Sequence, residues 1–447
     1  MQVISLSVLS KEEAQQRLER IRRLRKLGLQ RGVRDLAGPP TASPVPEAGP
    51  LPGEPVETPF GPAWVRTARY PLIDRPDLAA WLQAEPAALA ALGRDPALEA
   101  LEPAHAAFID TETTGLSLDT GTYTFMIGIG VYELAAASPP TGNRAERAIE
   151  TDAFVVRQFF MRHPGEERAQ LHLVDEALSA CTGIVSFNGR AFDMPLVQNR
   201  FILARIPPPL PAAPHFDLLP PARRFWRGRL DSCRLGSLEQ HILGIVRTEE
   251  DVSGWMIPDI YRDYYRTGVA TDLLARVFYH NLVDITTMPL LAARMAQFFS
   301  WPLPVERFGD LHPAECTSLA RAYEALAWLD AGEAAYRAAL AGPLEDSERA
   351  RALRDLSLLL KRQERRDEAA ALWEAWISTI PGDDLTPYVE LAKHHEWQTG
   401  DLAAARGWAA WALRIAGGWP AGYDRDEVVA DLQRRLERIE RKLMGVK

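Results

Sequence analysis

The stretch HAAFIDTETTG, residues 105–115, constrains the chain more than any other. An apolar run from Ala106 to Ile109 reads as a buried strand, yet it ends in Asp110 and Glu112. Alternate side chains of a strand share a face, so the two carboxylates project together, close enough to share a cation. A solvated turn at a strand end explains a single pair of this kind equally well, so the pair acquires chemical meaning only beside further acids. The following Thr113-Thr114-Gly115 breaks the strand. Phe125, Ile127, Ile129 and Val131 then alternate in a second strand whose other face carries Gly128 and Gly130. The short connection predicts an antiparallel pair.

Two more acids stand in suggestive settings. In GIVSFNGRAFDMPLVQNRF, Ile184 to Phe187 reads as a short buried strand, Asn188-Gly189 as a turn, and Ala191 onward as a helix with Asp193 in its first turn. Helix-start stabilisation accounts for Asp193 without any catalytic role. In LLARVFYHNLVDITTMPLLAARM, an otherwise apolar helix carries His280 and Asp284, four residues apart and therefore on one face. A satisfied His–Asp pair within a helix is the structural alternative.

At about 150 residues per domain, 447 residues suggest two to three domains. With 47% hydrophobic and 25% charged residues, the composition is that of a globular protein. The formal net charge of −9 argues against a chain that coats nucleic acid or an anionic membrane, so any nucleic-acid contact must come from a local basic surface. Cys181, Cys233 and Cys316 are too far apart for a CxxC zinc knuckle and offer no disulfide framework, which fits a reducing cytoplasm. The N-terminal MQVISLSVLS lacks the basic start of a signal peptide, and no run of 18 apolar residues suggests a membrane span.

Residues 11–35 have helical composition with an Arg-rich face, read as a solvated helix or a phosphate contact. The Pro- and Gly-dense stretch that follows, to about residue 62, reads as an extended linker. WVRTARYPL then predicts a short strand and DRPDLAAWLQAEPAALAAL a helix, and from Ala106 to about Gln297 strands and helices mix. From Glu315 onward only helical spacing remains. AGEAAYRAAL, DEAAALWEAWI and DLAAARGWAAWAL recur with Glu333, Glu368 and Leu402 in equivalent places, 35 and then 34 residues apart. That period marks tetratricopeptide-type helix pairs, with a plain helical bundle as the alternative. The last segment, DEVVADLQRRLERIERKL, would cap the stack. The expected boundaries are an N-terminal basic helix and linker over 1–58, an α/β domain over 59–303 and helical repeats over 304–447.

In combination, strand-DxE, SFNGRAFD and HNLVD resemble the DEDD 3′–5′ exonucleases of the ribonuclease-H-like superfamily, and most closely the YprB-type ribonuclease-H-like family. The resemblance covers roughly residues 105–298 and includes RTEEDVSGWMIPDIYRDYYRTG, which is similar to an insertion of that family, with Asp251-Val252-Ser253-Gly254 in place of its usual Asp-Ile-Pro-Gly. It implies five mixed strands flanked by helices, an α/β ribonuclease-H-like fold, joined to an all-α tetratricopeptide-like domain. Phosphodiester hydrolysis needs an activated water and a stabilised leaving oxygen, which two Mg²⁺ or Mn²⁺ ions supply together, and such hard cations take oxygen ligands. By resemblance, Asp110 would bridge both ions, Glu112 and Asp284 would complete the water-activating site, Asp193 would hold the other ion, and His280 would take the proton.

The resemblance further implies that Thr113, Thr114, Gly115 and Leu116 grip a 3′-terminal nucleotide, with Asn188 and Phe192 on the other wall. Arg223, Arg224, Arg227 and Arg229, interleaved with Phe225 and Trp226, read as a basic-aromatic patch for phosphate contact and stacking, or as an amphipathic helix with its aromatics in the core. Asp217 beside them reads as an N-cap. Tyr279 and His280 both precede Asp284, but at about 100° per residue His280 lies near the face of Asp284 and Tyr279 well off it. The resulting expectation is a metal-dependent 3′–5′ exonuclease on single-stranded DNA or RNA ends, with a protein partner on the helical repeats and no membrane. A structure-selective endonuclease and a non-catalytic adaptor are the alternatives.

Overall fold

The computed structural model describes residues 49–115, 121–134, 152–210, 213–248, 251–299, 302–380, 382 and 384–445. The expected basic helix of residues 11–35 and Leu116 lie outside the described residues. Among the described residues, seven strands form one mixed sheet: β1 (Glu54–Thr58), β2 (Gly61–Pro71), β3 (Ala106–Thr113), β4 (Thr124–Glu133), β5 (Ala153–Phe160), β6 (Gly183–Ser186) and β7 (His215–Asp217), in the order β1-β2-β5-β4-β3-β6-β7. The mixed sheet flanked by helices agrees with expectation and carries two strands more than the five foreseen. One of them, β1, corrects the linker assignment: Glu54–Thr58 pairs antiparallel with β2. Pro55 does not prevent this because β1 is an edge strand, where one row of N–H groups needs no partner.

Strand β3 sits between antiparallel β4 and parallel β6. Its odd residue Ile109 packs with Ile127, Ile129 and Ile184 against α3 (Glu167–Leu178) and α4 (Asp193–Leu203). Its even residue Phe108 faces the opposite core, together with Phe154 and Val156. Complete burial of a ring such as Phe108 contributes about 1.5–3 kcal/mol, which strongly specifies register, because a slip of one residue would turn Asp110 into the opposite core.

The stretch from Asp74 to Leu92, read as one helix, is two: α1 (Pro76–Ala79), continued by a 3₁₀ turn, and α2 (Pro86–Gly93). Glu85 between them is extended because Pro86 crowds the helical conformation of its predecessor. After β7 come α5 (Leu219–Trp226), α6 (Leu235–Leu238) with a following π-turn, α7 (Ile257–Thr267) and α8 (Asp272–Ala296). The long α8 lies across the even face of the sheet, with Val277 and Phe278 against Phe160 and Ile285 in the core with Phe108.

The C-terminal region is all helical: α9 (Pro313–Ala325), α10 (Leu329–Ala341), α11 (Asp346–Arg362), α12 (Arg366–Thr379), α13 (Thr386–His394), α14 (Leu402–Gly417) and α15 (Tyr423–Leu443). Small residues such as Ala335, Ala369 and Ala405 are fully buried between these helices. One apolar core runs without a break from Leu72 beside the sheet, through Phe225, Trp226 and Phe298, to Leu391 among the C-terminal helices. Across the expected boundary near residue 303, Trp226 Nε1 donates to Glu315 at 2.6 Å and Tyr323 Oη donates to the Phe298 carbonyl at 3.0 Å. Among the described residues no helix is long and apolar enough to cross a membrane.

Candidate active site

Alternation on β3 places Asp110 and Glu112 on the face toward α8, where Asp110 stands opposite Gly128 of β4. A Cβ on Gly128 would lie 2.2 Å from Ile285 Cδ1 and 2.3 Å from Asn281 Oδ1, so the missing side chain is what lets α8 come this close. The same helix brings Asp284. Asp193 is the first residue of α4, on the other face, and meets the strand at its carboxyl end, where Thr111 Oγ1 donates to Asp193 Oδ1 at 2.5 Å. The turn before α4 requires Gly189, because a Cβ there would approach Ser186 Oγ to 2.4 Å. Asp217 ties this turn down by accepting from the N–H groups of Asn188 and Leu219 at 2.8 and 3.0 Å, a capping role at the start of α5.

The carboxylates feel one another. Burial, then the charges of Asp284, Glu112 and Asp193, pushes Asp110 well above the usual carboxylate range, against a hydrogen bond from Asn281. Burial and the charges of Asp284, Asp193 and Asp251 do the same to Glu112, with Arg247 opposing. Burial raises Asp193 to about 6 despite the Thr111 hydroxyl. Desolvated acids grouped in this way favour a bound proton or a cation.

His280 is held from both sides of its ring. Its Nδ1 lies 2.7 Å from Asp251 Oδ1, and its Nε2 is 3.5 Å from Asp284 Oδ2. The Tyr279 hydroxyl instead accepts from the Thr248 N–H at 3.5 Å. The Arg247 guanidinium donates to Asp284 Oδ1 and makes a two-pronged pair with Glu239, at 2.5 and 2.7 Å. The Glu239 side chain is wholly buried, and Thr287 Oγ1 donates to it at 2.7 Å. A cleft of about 390 Å³ opens here, lined by Arg234, Arg247, Asp251, Ser253, His280 and Asp284 among others.

Residues 107–296 match the RNase_H_2 family of the RNase_H superfamily. The segment is a ribonuclease-H-like domain. A protein of Bacillus subtilis (strain 168), "Uncharacterized protein YprB", is 33% identical over 304 residues, covering 67% of this chain and 66% of that protein. The chain therefore spans just under two thirds of that relative's length. Superfamily membership points to nuclease-type chemistry on nucleic acid, commonly with divalent metals.

The ribonuclease-H-like domain also uses residues that sequence reasoning missed. Asn281 Nδ2 donates to Asp110 Oδ2 at 2.8 Å, Gln158 Nε2 donates to Asn281 Oδ1 at 2.9 Å, and Arg66 donates to Gln158 Oε1 at 3.0 Å. This relay from β2 through β5 and α8 fixes one oxygen of Asp110. Its only signal in the sequence is a polar residue beside His280 and another within the apolar β5. Arg247 and Asp251 stand in the insertion segment with no periodicity to single them out, and Glu239 lies in the π-turn after α6.

Thr113 Oγ1 donates to the Gly115 carbonyl at 2.7 Å, and Thr114 Oγ1 accepts from the Tyr123 N–H at 3.0 Å, so both close the loop that follows β3. Asn188 adopts the left-handed conformation, φ 70°, and Phe192 is half-buried at the start of α4. Of the two readings of the Arg223–Arg229 segment, the amphipathic helix is the one found: Phe225 and Trp226 are buried, so neither offers a stacking face. Arg224 donates to the Leu92 carbonyl and Arg229 to Glu315, while Arg223 stays exposed. Helix α5 thus uses its apolar side to join the C-terminal helices.

Proposed function

We propose that the protein is a metal-dependent 3′–5′ exonuclease of the DEDD type acting on single-stranded ends of DNA or RNA. The observation that carries this reading is the meeting of Asp110, Glu112, Asp193 and Asp284 at the carboxyl end of β3, with His280 beside Asp284. Among the described residues, no three His, Cys, Asp or Glu groups stand in position to hold an ion as they are, and Arg247 supplies the positive charge at Asp284. The donor set nonetheless fits hard divalent cations: all four are carboxylates, and burial together with mutual repulsion leaves Asp110 and Glu112 short of compensating charge.

Asp110, Glu112, Asp193 and Asp284 would hold two Mg²⁺ or Mn²⁺ ions, which supply Lewis-acid stabilisation of the attacking and leaving oxygens. His280, with Nε2 facing Asp284, accepts the proton of the attacking water. Asn281 keeps one oxygen of Asp110 in place through the Gln158 relay. Thr113, Thr114, Gly115, Asn188 and Phe192 shape the pocket for the terminal nucleotide, and exposed Arg223 offers a phosphate contact. The cleft with Arg234 at its rim gives the strand a route to His280. The C-terminal helices, in tetratricopeptide-like pairs, bind a protein partner, and the protein works in the cytoplasm.

End-labelled oligonucleotides with Mg²⁺ or Mn²⁺ test this reading. A ladder shortening from the 3′ end is the expected result. Internal cuts would reassign the protein as an endonuclease, and no cleavage with either metal would leave an adaptor.

A further inference from the structure

The insertion that carries Arg247 and Asp251 places a carboxylate behind His280, and we propose that Asp251 is a positioning residue that fixes His280 as its Nδ1–H tautomer. The inference rests on the reading of His280 as the base. A carboxylate only accepts, so the 2.7 Å approach of Asp251 Oδ1 to Nδ1 requires the proton to sit on Nδ1. In the other tautomer two lone pairs would face each other at that distance. Arg247 Nη1, also near Nδ1 at 3.3 Å and 3.4 Å from Asp251 Oδ2, is the competing donor, and the much shorter 2.7 Å contact makes Asp251 the partner of Nδ1.

In the neutral ring with its proton on Nδ1, Nε2 keeps its lone pair and faces Asp284 Oδ2 at 3.5 Å. Two acceptors at this separation do not bond each other, but a water between them can donate one proton to each. His280 is therefore set to receive a proton beside a carboxylate that binds the nucleophile's surroundings.

Asp251 is itself anchored. Its N–H donates to the Thr248 carbonyl at 3.1 Å, and the next residue, Val252, is buried in the core shared with Phe278 of α8. On its other side Arg247 is locked by wholly buried Glu239. The same guanidinium thus holds Asp284 and the carboxylate that holds His280. Second partners of this kind, which orient a group acting on the reacting atoms, are commonly worth about 10–100-fold in activity.

Two measurements on the full chain test the assignment. Nitrogen NMR of ¹⁵N-histidine-labelled protein without metal should show His280 protonated at Nδ1, with the signal identified by its loss in His280→Ala, and Asp251→Ala should move it away from that form. An Nε2-protonated His280 in the unsubstituted protein, or a tautomer unchanged in Asp251→Ala, overturns the proposal whether or not the protein cleaves nucleic acid. In the second measurement, Asp251→Ala should lower kcat about 10–100-fold with KM little changed, yet cause no further loss in a His280→Ala background. Full additive losses in the double variant would mean that Asp251 acts elsewhere. Should Asp251→Ala fail to fold, the NMR of the unsubstituted protein still decides. A correct tautomer without any cleavage would instead count against the exonuclease reading alone.

Discussion

Individual residues at the site divide between those that touch the reaction and those that hold others in place. Asp110→Asn keeps the size of the side chain and its contact with Asn281 but removes the charge, so cleavage should fall to background while the melting curve of the protein survives. Near-normal turnover in that variant would remove the two-metal reading. His280→Ala should lower kcat by about 10²–10⁴-fold, the usual worth of a positioned base, and Tyr279→Phe should change it little because that hydroxyl faces Thr248. Steady-state kinetics on a labelled oligonucleotide separate the two, and the reverse pattern would reassign the base. Titration supplies a further prediction. Asp193 is raised from 3.8 to about 6, and Asp110 and Glu112 shift the same way. A carboxylate with a raised folded pKa contributes full stability below its unfolded value, and that contribution is lost as pH rises through the folded value. The metal-free protein should therefore melt lower as pH rises from about 5 to about 8, and Mg²⁺ or Mn²⁺ should restore more at the upper end. A melting temperature that climbs over that interval in chelator would contradict this.

At the scale of elements, α8 and the sheet work as one part. The helix carries His280, Asn281 and Asp284 together, and its closeness to β4 depends on two glycines: a Cβ on Gly130 would also reach 2.7 Å from Ile285 Cγ2. Gly128→Ala should destabilise the protein by about 1–3 kcal/mol, the usual cost of overpacking, and should separate Asn281 from Asp110. Denaturant melts read the first effect, and a variant as stable as the parent would show that α8 can retreat freely. The alternating Phe125–Val131 segment made the strand and its glycine face legible in advance, but not what the glycines make room for. The π-turn after α6 supplies Glu239, whose position follows from packing against Thr287 of α8, not from any pattern in its own segment. Arg247→Ala would leave that carboxylate buried without a charge partner, a loss of about 3–5 kcal/mol measurable in the same melts.

On the scale of the whole molecule, the α/β part and the C-terminal helices share a core instead of meeting at a polar interface. Phe225 stacks on Phe298 with ring centroids 5.8 Å apart, and the Leu303 N–H donates to the Tyr323 hydroxyl at 2.9 Å. A chain ending near Leu303 loses α9, Glu315 and Tyr323, and leaves Trp226, Phe298 and Phe299 facing water. Such a truncation should be largely insoluble, judged by the soluble fraction after expression. A soluble and active product would show that the two parts are energetically independent, as the separate periodicities of residues 59–303 and 304–447 suggest on their own.

What the sequence by itself determined was local: which side chains share a face. A period of two put Asp110 and Glu112 together at the end of β3, a period of 3.6 put His280 and Asp284 on one side of a helix, and the 34–35-residue recurrence marked the helical C-terminal region. The tertiary structure alone decided which faces meet. Asn281 lies 171 residues from Asp110, and Arg247 lies 37 residues from Asp284 with α7 between them. Periodicity acts through neighbouring backbone geometry and dies out within an element. Pairing across such distances depends on how whole elements pack, and here that packing makes the Asp217 cap also tie down the Asn188 turn, puts Phe225 and Trp226 in the core, and makes Asp251 the partner of His280.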